Sequence, residues 1–137
     1  LDLRGAGLSQ CRFEAAHLPR LNLFAARLER VGFARAQLEH ANFTGATLIQ
    51  VDLSAADLQH AELISAELHH CDLRGANLNG ATLRGLRLIG CELGGASLEQ
   101  STGLSFQQLL GSRIDEHTRL PEALRSRQAE LLARSRA

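Results

Sequence analysis

Every fifth residue from Leu3 to Leu98 is Leu or Phe, twenty positions in succession without a miss. Seventeen are Leu, and the other three are Phe13, Phe33 and Phe43. Two residues before each stands a second small or apolar residue: Ala6, Cys11, Ala16, Leu21, Ala26, Val31 and onward to Ala96. An α-helix would carry a five-residue step about 140° beyond a full circle and scatter the leucines over every side. A flat strand would send successive leucines to opposite faces. A chain that turns a corner at each repeat keeps them all inside. Four such corners close a square coil of twenty residues, and stacked coils bury one continuous column.

The side-chain sizes test that winding independently. Residues twenty apart should stack, and Cys11, Val31, Val51, Cys71 and Cys91 form a column in which every member is larger than Ala. Phe13 and Phe33 share another column. Alternate corners carry Ala at nine of ten inner positions from Ala6 to Ala96, and Leu86, the exception, should widen its face or force a bulge. The expected core comprises Leu3, Phe13, Phe33, Phe43, Leu53, Leu73 and Leu93, lined by the Cys11–Cys91 column. Seven of the twelve glycines fall in the fifth slot, where a type II turn requires positive φ. Such corners are expected to dominate from residue 75 to 95. Five coils at strand spacing make a rod about 24 Å long.

The segments Ala41-Asn42-Phe43-Thr44-Gly45, Ala56-Asp57-Leu58-Gln59-His60 and Ala76-Asn77-Leu78-Asn79-Gly80 follow the pattern A(D/N)LXX. In this the chain resembles the pentapeptide-repeat family, over roughly residues 1–100. The resemblance implies a right-handed quadrilateral parallel β-helix, an all-β solenoid of about five 20-residue coils. After Ser101 the rhythm stops, and residues 101–137 read as an α-helical cap. A short helix is expected around Ser105–Leu110, stopped by Gly111, and a second from Pro121 to Ala133. Leu104, Phe106, Leu109 and Leu110 would cover the last coil. Leu120, Leu124, Leu131 and Leu132 form an apolar stripe that either completes the cap or pairs with a second copy in a homodimer.

The chemistry-bearing residues point away from catalysis. No nucleophile–base pattern, phosphate loop or HExxH motif occurs, and a filled rod offers no expected cleft. Neither an enzyme nor a cofactor is expected. The three cysteines lack zinc-type spacing and read as small buried hydrophobes, Cys71 and Cys91 being poorly aimed for a disulfide. His40 and His60 should stack at corners, with Asp57 near in sequence but no third metal ligand placed. No stretch approaches twenty apolar residues, so nothing spans a membrane. The chain opens mid-repeat at Leu1, which reads as the C-terminal part of a larger bacterial, cytoplasmic protein.

Charge is balanced, with fifteen acidic residues against fifteen basic ones, but it is not evenly spread. Residues 37–73 hold six acidic residues and no Arg, whereas residues 1–36 hold six Arg against three acids. Asp52, Asp72 and Glu92 should form a carboxylate ladder. The quinolone-resistance branch of the similar family binds DNA gyrase and topoisomerase IV as acidic, duplex-shaped dimers, which makes DNA mimicry the alternative reading for that ladder. The neutral total and basic first coils depart from that pattern. With no basic stripe interleaved with aromatics, direct nucleic-acid binding is not expected either. The leading expectation is a non-catalytic scaffold that meets a protein partner through the outward apolar residues Phe24, Ile64, Ile49 and Ile89.

Overall fold

The computed structural model describes residues 1–135, wound as a four-sided parallel β-solenoid closed at its C-terminal end by short helices. The reason the repeat has five members lies in how each backbone amide finds an acceptor. Counting Ala41 as a first position, third-position amides donate to second-position carbonyls one coil on, as Leu23 does to Asn42 at 2.7 Å. Fifth-position amides donate to fourth-position carbonyls, as Ala25 does to Thr44 at 2.9 Å. Second-position amides donate back to the previous coil, as Asn42 does to Leu21 at 2.9 Å. First- and fourth-position amides remain to be satisfied.

On three sides of the square the first-position amide closes the corner onto the third-position carbonyl, as Ala26 does onto Leu23 at 3.0 Å. Where the second position holds Asp or Asn, the fourth-position amide is taken by that side chain. Thr44 donates to Asn42 Oδ1 at 2.9 Å, Gln59 to Asp57 Oδ1 at 3.1 Å and Asn79 to Asn77 Oδ1 at 3.0 Å. This is the physical content of the A(D/N)LXX pattern: a short carboxylate or amide reaches an amide that no coil can reach. Replacing Asp57 by Ala should therefore cost about 1 kcal/mol, read as a lowered denaturation midpoint at unchanged slope. An effect no larger than that of Gln37→Ala, whose amide side chain is too long for the same turn, would contradict the assignment.

The fourth side is built differently. Strands β1 (Gly7–Ser9), β2 (Arg27–Glu29), β3 (Thr47–Ile49), β4 (Glu67–His69) and β5 (Arg87–Ile89) form an in-register parallel sheet in sequence order. Here the fourth-position residue belongs to the ladder, Ser9 opposite Glu29, and the first-position amide makes no closing bond to the third-position carbonyl. None of the second-position residues Gly7, Arg27, Thr47, Glu67 and Arg87 is Asp or Asn. The residues that follow this open corner are Cys11, Val31, Val51, Cys71 and Cys91, the column that is larger than Ala.

The corners extend one expectation. Positive φ occurs at every fifth position from Gly5 to Gly95, and twelve of those residues are not Gly. Closed corners dominate residues 75–95, at Gly75, Gly80, Gly85 and Gly95, but they are not confined there: the corner after Leu88 is open although Gly90 stands in it, while those holding Ala25 and Arg35 are closed. The side of the square sets the corner, and Gly only lowers the strain of the left-handed residue.

The interior is apolar throughout. Phe33, Phe43, Leu53, Leu73, Leu93, Val31, Val51, Cys71 and Cys91 are all buried. Leu3, Cys11 and Phe13 are only half-buried, because no coil covers the first one in the described structure. Leu86 forces no bulge, since Leu68 and Leu88 stay in register and Thr82 still faces Thr102. It abuts a void of about 10 Å³ lined by leucines. The last coil is free to accept its bulk because a helix, not a further coil, lies beyond it.

The cap differs from the expected pair of helices. Though the repeat ends near Ser101, the coil does not: Thr82 pairs with Thr102, Glu92 with Arg113 and Ser97 with Arg119 in parallel bridges. Helix α1 (Phe106–Leu109) is laid across the remaining side, its Gln108 amide donating to Leu83 and Leu86 carbonyls at 2.9 Å each. Thr118 hydroxyl donates to the Leu93 carbonyl at 2.8 Å. The second helix is two, α2 (Glu122–Arg125) and α3 (Gln128–Ser135). The break at residues 126–127 lets Leu124 and Leu131 both be buried while the Arg127 guanidinium lies 3.4 Å over the Phe106 ring. Phe106, Leu109, Ile114 and Leu120 complete the seal, with Leu104, Leu110 and Leu132 half-buried against it.

Candidate interaction surface

The sheet side is the continuous strand face of the rod, and it carries the outward apolar residues along its margins. Phe24 is 46% exposed and sits at the corner entering β2. Ile64 holds the same position before β4. Ile49 and Ile89 end β3 and β5, with His69 of β4 between them in the ladder. All three isoleucines are half-buried. Between these margins runs a polar strip in which Arg27 reaches Glu29 at 3.9 Å, His69 lies 3.2 Å from Glu67, and Arg87 reaches Glu67 at 3.8 Å. Such exposed pairs are each worth little and stay available to a partner.

The carboxylate ladder is present in register, Asp52 opposite Asp72 and Asp72 opposite Glu92. It is not, however, an uninterrupted negative stripe. Arg74 reaches Asp72 through hydrogen bonds of 2.6 and 2.9 Å, and its charge also acts on Glu92 and Asp52. The column runs from Arg12 through Gly32 to these acids and ends at Arg113. The hydrogen bond from Arg74 holds Asp72 below the ordinary carboxylate range.

The histidines make a stack but no ligand set. His40 and His60 rings lie 5.0 Å apart at 18°, presenting π faces to each other. His60 packs so closely over Gly80 that a Cβ there would meet its ring. Among the described residues no three His, Cys, Asp or Glu side chains converge as a metal cage would require.

All three cysteines are free thiols, and two of them are neighbours. The hydrogen bond shared with Cys91, and burial behind it, push the Cys71 thiol up. The same shared bond, with the Cys71 amide and the Ser112 hydroxyl, brings Cys91 down to about 7 against its burial.

At the cap end, a groove of about 610 Å³ is lined by Glu99, Glu116, His117, Arg119 and Arg125, with Arg125 3.7 Å from Glu99. At its edge, burial alone would raise Asp115, but donors from the Gly95 and His117 amides, each at 2.9 Å, hold its carboxyl below the ordinary value of 3.8. A depressed folded-state pKa contributes stability that is complete above the unfolded value and is lost as pH falls through the folded one. Asp115→Asn should therefore flatten the acid limb of the stability curve below about pH 4, leaving the neutral-to-basic limb parallel to wild type. Identical acid limbs would contradict the assignment.

The comparisons with known proteins fit this geometry. A family model described as pentapeptide repeats, eight copies, matches residues 32–69 and 61–100. A pentapeptide repeat protein from the Arabidopsis thaliana thylakoid lumen is 33% identical with a TM-score of 0.75, over 79% of this chain and 74% of its own. The pentapeptide repeat protein Rfr23 of the cyanobacterium Cyanothece 51142 is 27% identical with a TM-score of 0.60, over 82% and 89%. A pentapeptide repeat protein of Nostoc Pcc 7120 is 28% identical with a TM-score of 0.54, over 76% and 84%. Among curated proteins, none matches the chain. The amide-by-amide logic of its corners and the proteins it resembles agree, and the chain belongs to the pentapeptide repeat family.

Proposed function

We propose that this chain is a non-catalytic protein-interaction module whose contact surface is the sheet side, with Phe24, Ile64, Ile49 and Ile89 as its apolar anchors. The observation that supports this most is the 46% exposure of Phe24, a large ring left in solvent beside a continuous strand face. Aromatic anchors beside a polar strip have the composition of a recognition surface. A rod whose interior is filled by leucines presents its information on the outside, and this side differs from the other three. No helix among the described residues is long and apolar enough to cross a membrane. Placement in a bacterial cytoplasm belongs to the same proposal, whereas the similar Arabidopsis thaliana protein comes from a thylakoid lumen.

The second reading is DNA mimicry toward a gyrase-type topoisomerase, and the in-register Asp52–Asp72–Glu92 ladder is what favours it. Arg74 and Arg113 offset it by interrupting the negative field that a DNA-binding saddle attracts. A homodimer through the last helix is the weakest of the three, since Leu120, Leu124 and Leu131 are already buried against the chain's own cap.

Three baits separate the readings: wild type, Phe24→Ser/Ile64→Ser/Ile89→Ser, and Asp52→Arg/Asp72→Arg/Glu92→Arg. Each is immobilised and exposed to bacterial lysate, and the bound proteins are identified by mass spectrometry. A protein held by wild type and the acidic-ladder variant but lost by the sheet-side variant is the expected result. Topoisomerase subunits lost only by the ladder variant would replace it with the second reading.

A further inference from the structure

Taking the sheet side as the contact surface read above, we propose that it docks a second copy of this chain, face to face with the two rods antiparallel. A two-fold interface must complement itself, because symmetry fixes which residue stands opposite which. The sheet is in register, so its outward residues stand in columns and symmetry acts on whole columns. A two-fold axis lying along β3 keeps each column facing itself. It sets β2 of one copy over β4 of the other.

That operation brings unlike charges together around an apolar centre. Arg27 meets Glu67 of the second copy, and Glu29 meets its His69. Ile49 meets Ile49 on the axis itself. Phe24 meets Ile64, since both hold the corner entering their strands, and a ring 46% exposed gains an apolar cover. Centring the axis on β2 or β4 instead would set Arg27 or Glu67 against itself, and centring it between β3 and β4 would set Arg27 against Arg87. An axis running along the rod would carry Phe24 to the opposite margin, away from Ile64. At the ends of the Phe24 margin Arg4 approaches Arg84, and Arg4 is already engaged by Asp2 at 2.8 Å. Five strands at about 4.8 Å, each about five residues of 3.3 Å wide, cover roughly 400 Å² per copy. That is about half of a standard interface, so the dimer is weak and forms at high concentration.

The test is sedimentation equilibrium of the full chain over a range of concentrations. Wild type should dimerise with a Kd on the order of 10⁻⁴ M. Arg27→Glu and Glu67→Arg should each weaken the dimer about tenfold or more, by setting like charges together, and the double variant should recover to within about threefold of wild type. Ile49→Cys places a thiol on the axis, so mild oxidation should yield a covalent dimer. Ile89→Cys, which faces Ser9 of the second copy, should not; both are made with Cys11→Val to remove the half-buried thiol. A double variant that fails to recover, or equal cross-linking by the two cysteine variants, would overturn the pairing. A chain that stays monomeric to about 1 mM would overturn the dimer. The sheet side would then belong to a different protein, which the lysate baits decide separately.

Discussion

Phe33→Ala should be the most damaging single truncation in this protein, costing about 3–5 kcal/mol. Its ring is fully buried and stacks on Phe13 at 5.2 Å and 13°. Coils above and below are held at fixed spacing by backbone bonds, so they cannot collapse into the cavity. A loss of that size is a large fraction of the stability of a small domain. Phe13→Ala, removing the half-buried partner in the first coil, should cost distinctly less. Chemical denaturation of both variants decides the matter. Equal losses would mean that the aromatic stack and not the closed coil carries the energy.

Gly103→Ala should follow, at roughly 3 kcal/mol, through two separate causes. Gly103 has φ +82, and a Cβ there would lie 2.7 Å from the Arg84 amide nitrogen and 2.9 Å from its Cα. The left-handed conformation alone costs an L residue about 1–2 kcal/mol, and contact with backbone that cannot yield adds about as much again. Gly45 supplies the control, with φ +70 and nothing within 4 Å. Gly45→Ala should cost only about 1 kcal/mol, since Ala25 and Ala55 already occupy equivalent corners. If the two substitutions cost the same, Arg84 does not confine the cap as described.

Much of this architecture is legible in the leucine period and in the Cys11–Cys91 column, because both are direct consequences of what faces inward. The distinct side of the square is legible too, but through a subtler signal. Positions 7, 27, 47, 67 and 87 are the second positions that never hold Asp or Asn, and the large column follows them. Reading the left-handed corners from Gly alone misses this, because Arg20, Arg35 and His60 sit at the same φ. The partial sixth coil leaves no pattern at all. Its bonds run through the backbone of Thr102, Arg113 and Arg119, and its side-chain seals, Gln108, Ser112 and Thr118, recur at no fixed spacing.

Charge was the least legible property, for the same geometric reason. Residues 37–73 are acidic along the chain, yet coiling sets Arg74 and Arg87 beside Asp72 and Glu67. A run of like charge is thus interrupted by residues that lie just beyond it in sequence or one coil away. The apolar margins of the sheet side, by contrast, follow directly from which outward positions hold Phe24, Ile49, Ile64 and Ile89.

One side of the square is open and the other three are closed. Through-hydrogen-bond scalar couplings on isotope-labelled protein test this directly. Couplings should join the amides of Ala26, Ala36, Ala46 and Ala56 to the carbonyls of Leu23, Phe33, Phe43 and Leu53, while the amides of Val31, Val51 and Cys71 show none to Leu28, Leu48 and Leu68. Couplings around all four corners would contradict the account, removing the distinct sheet side.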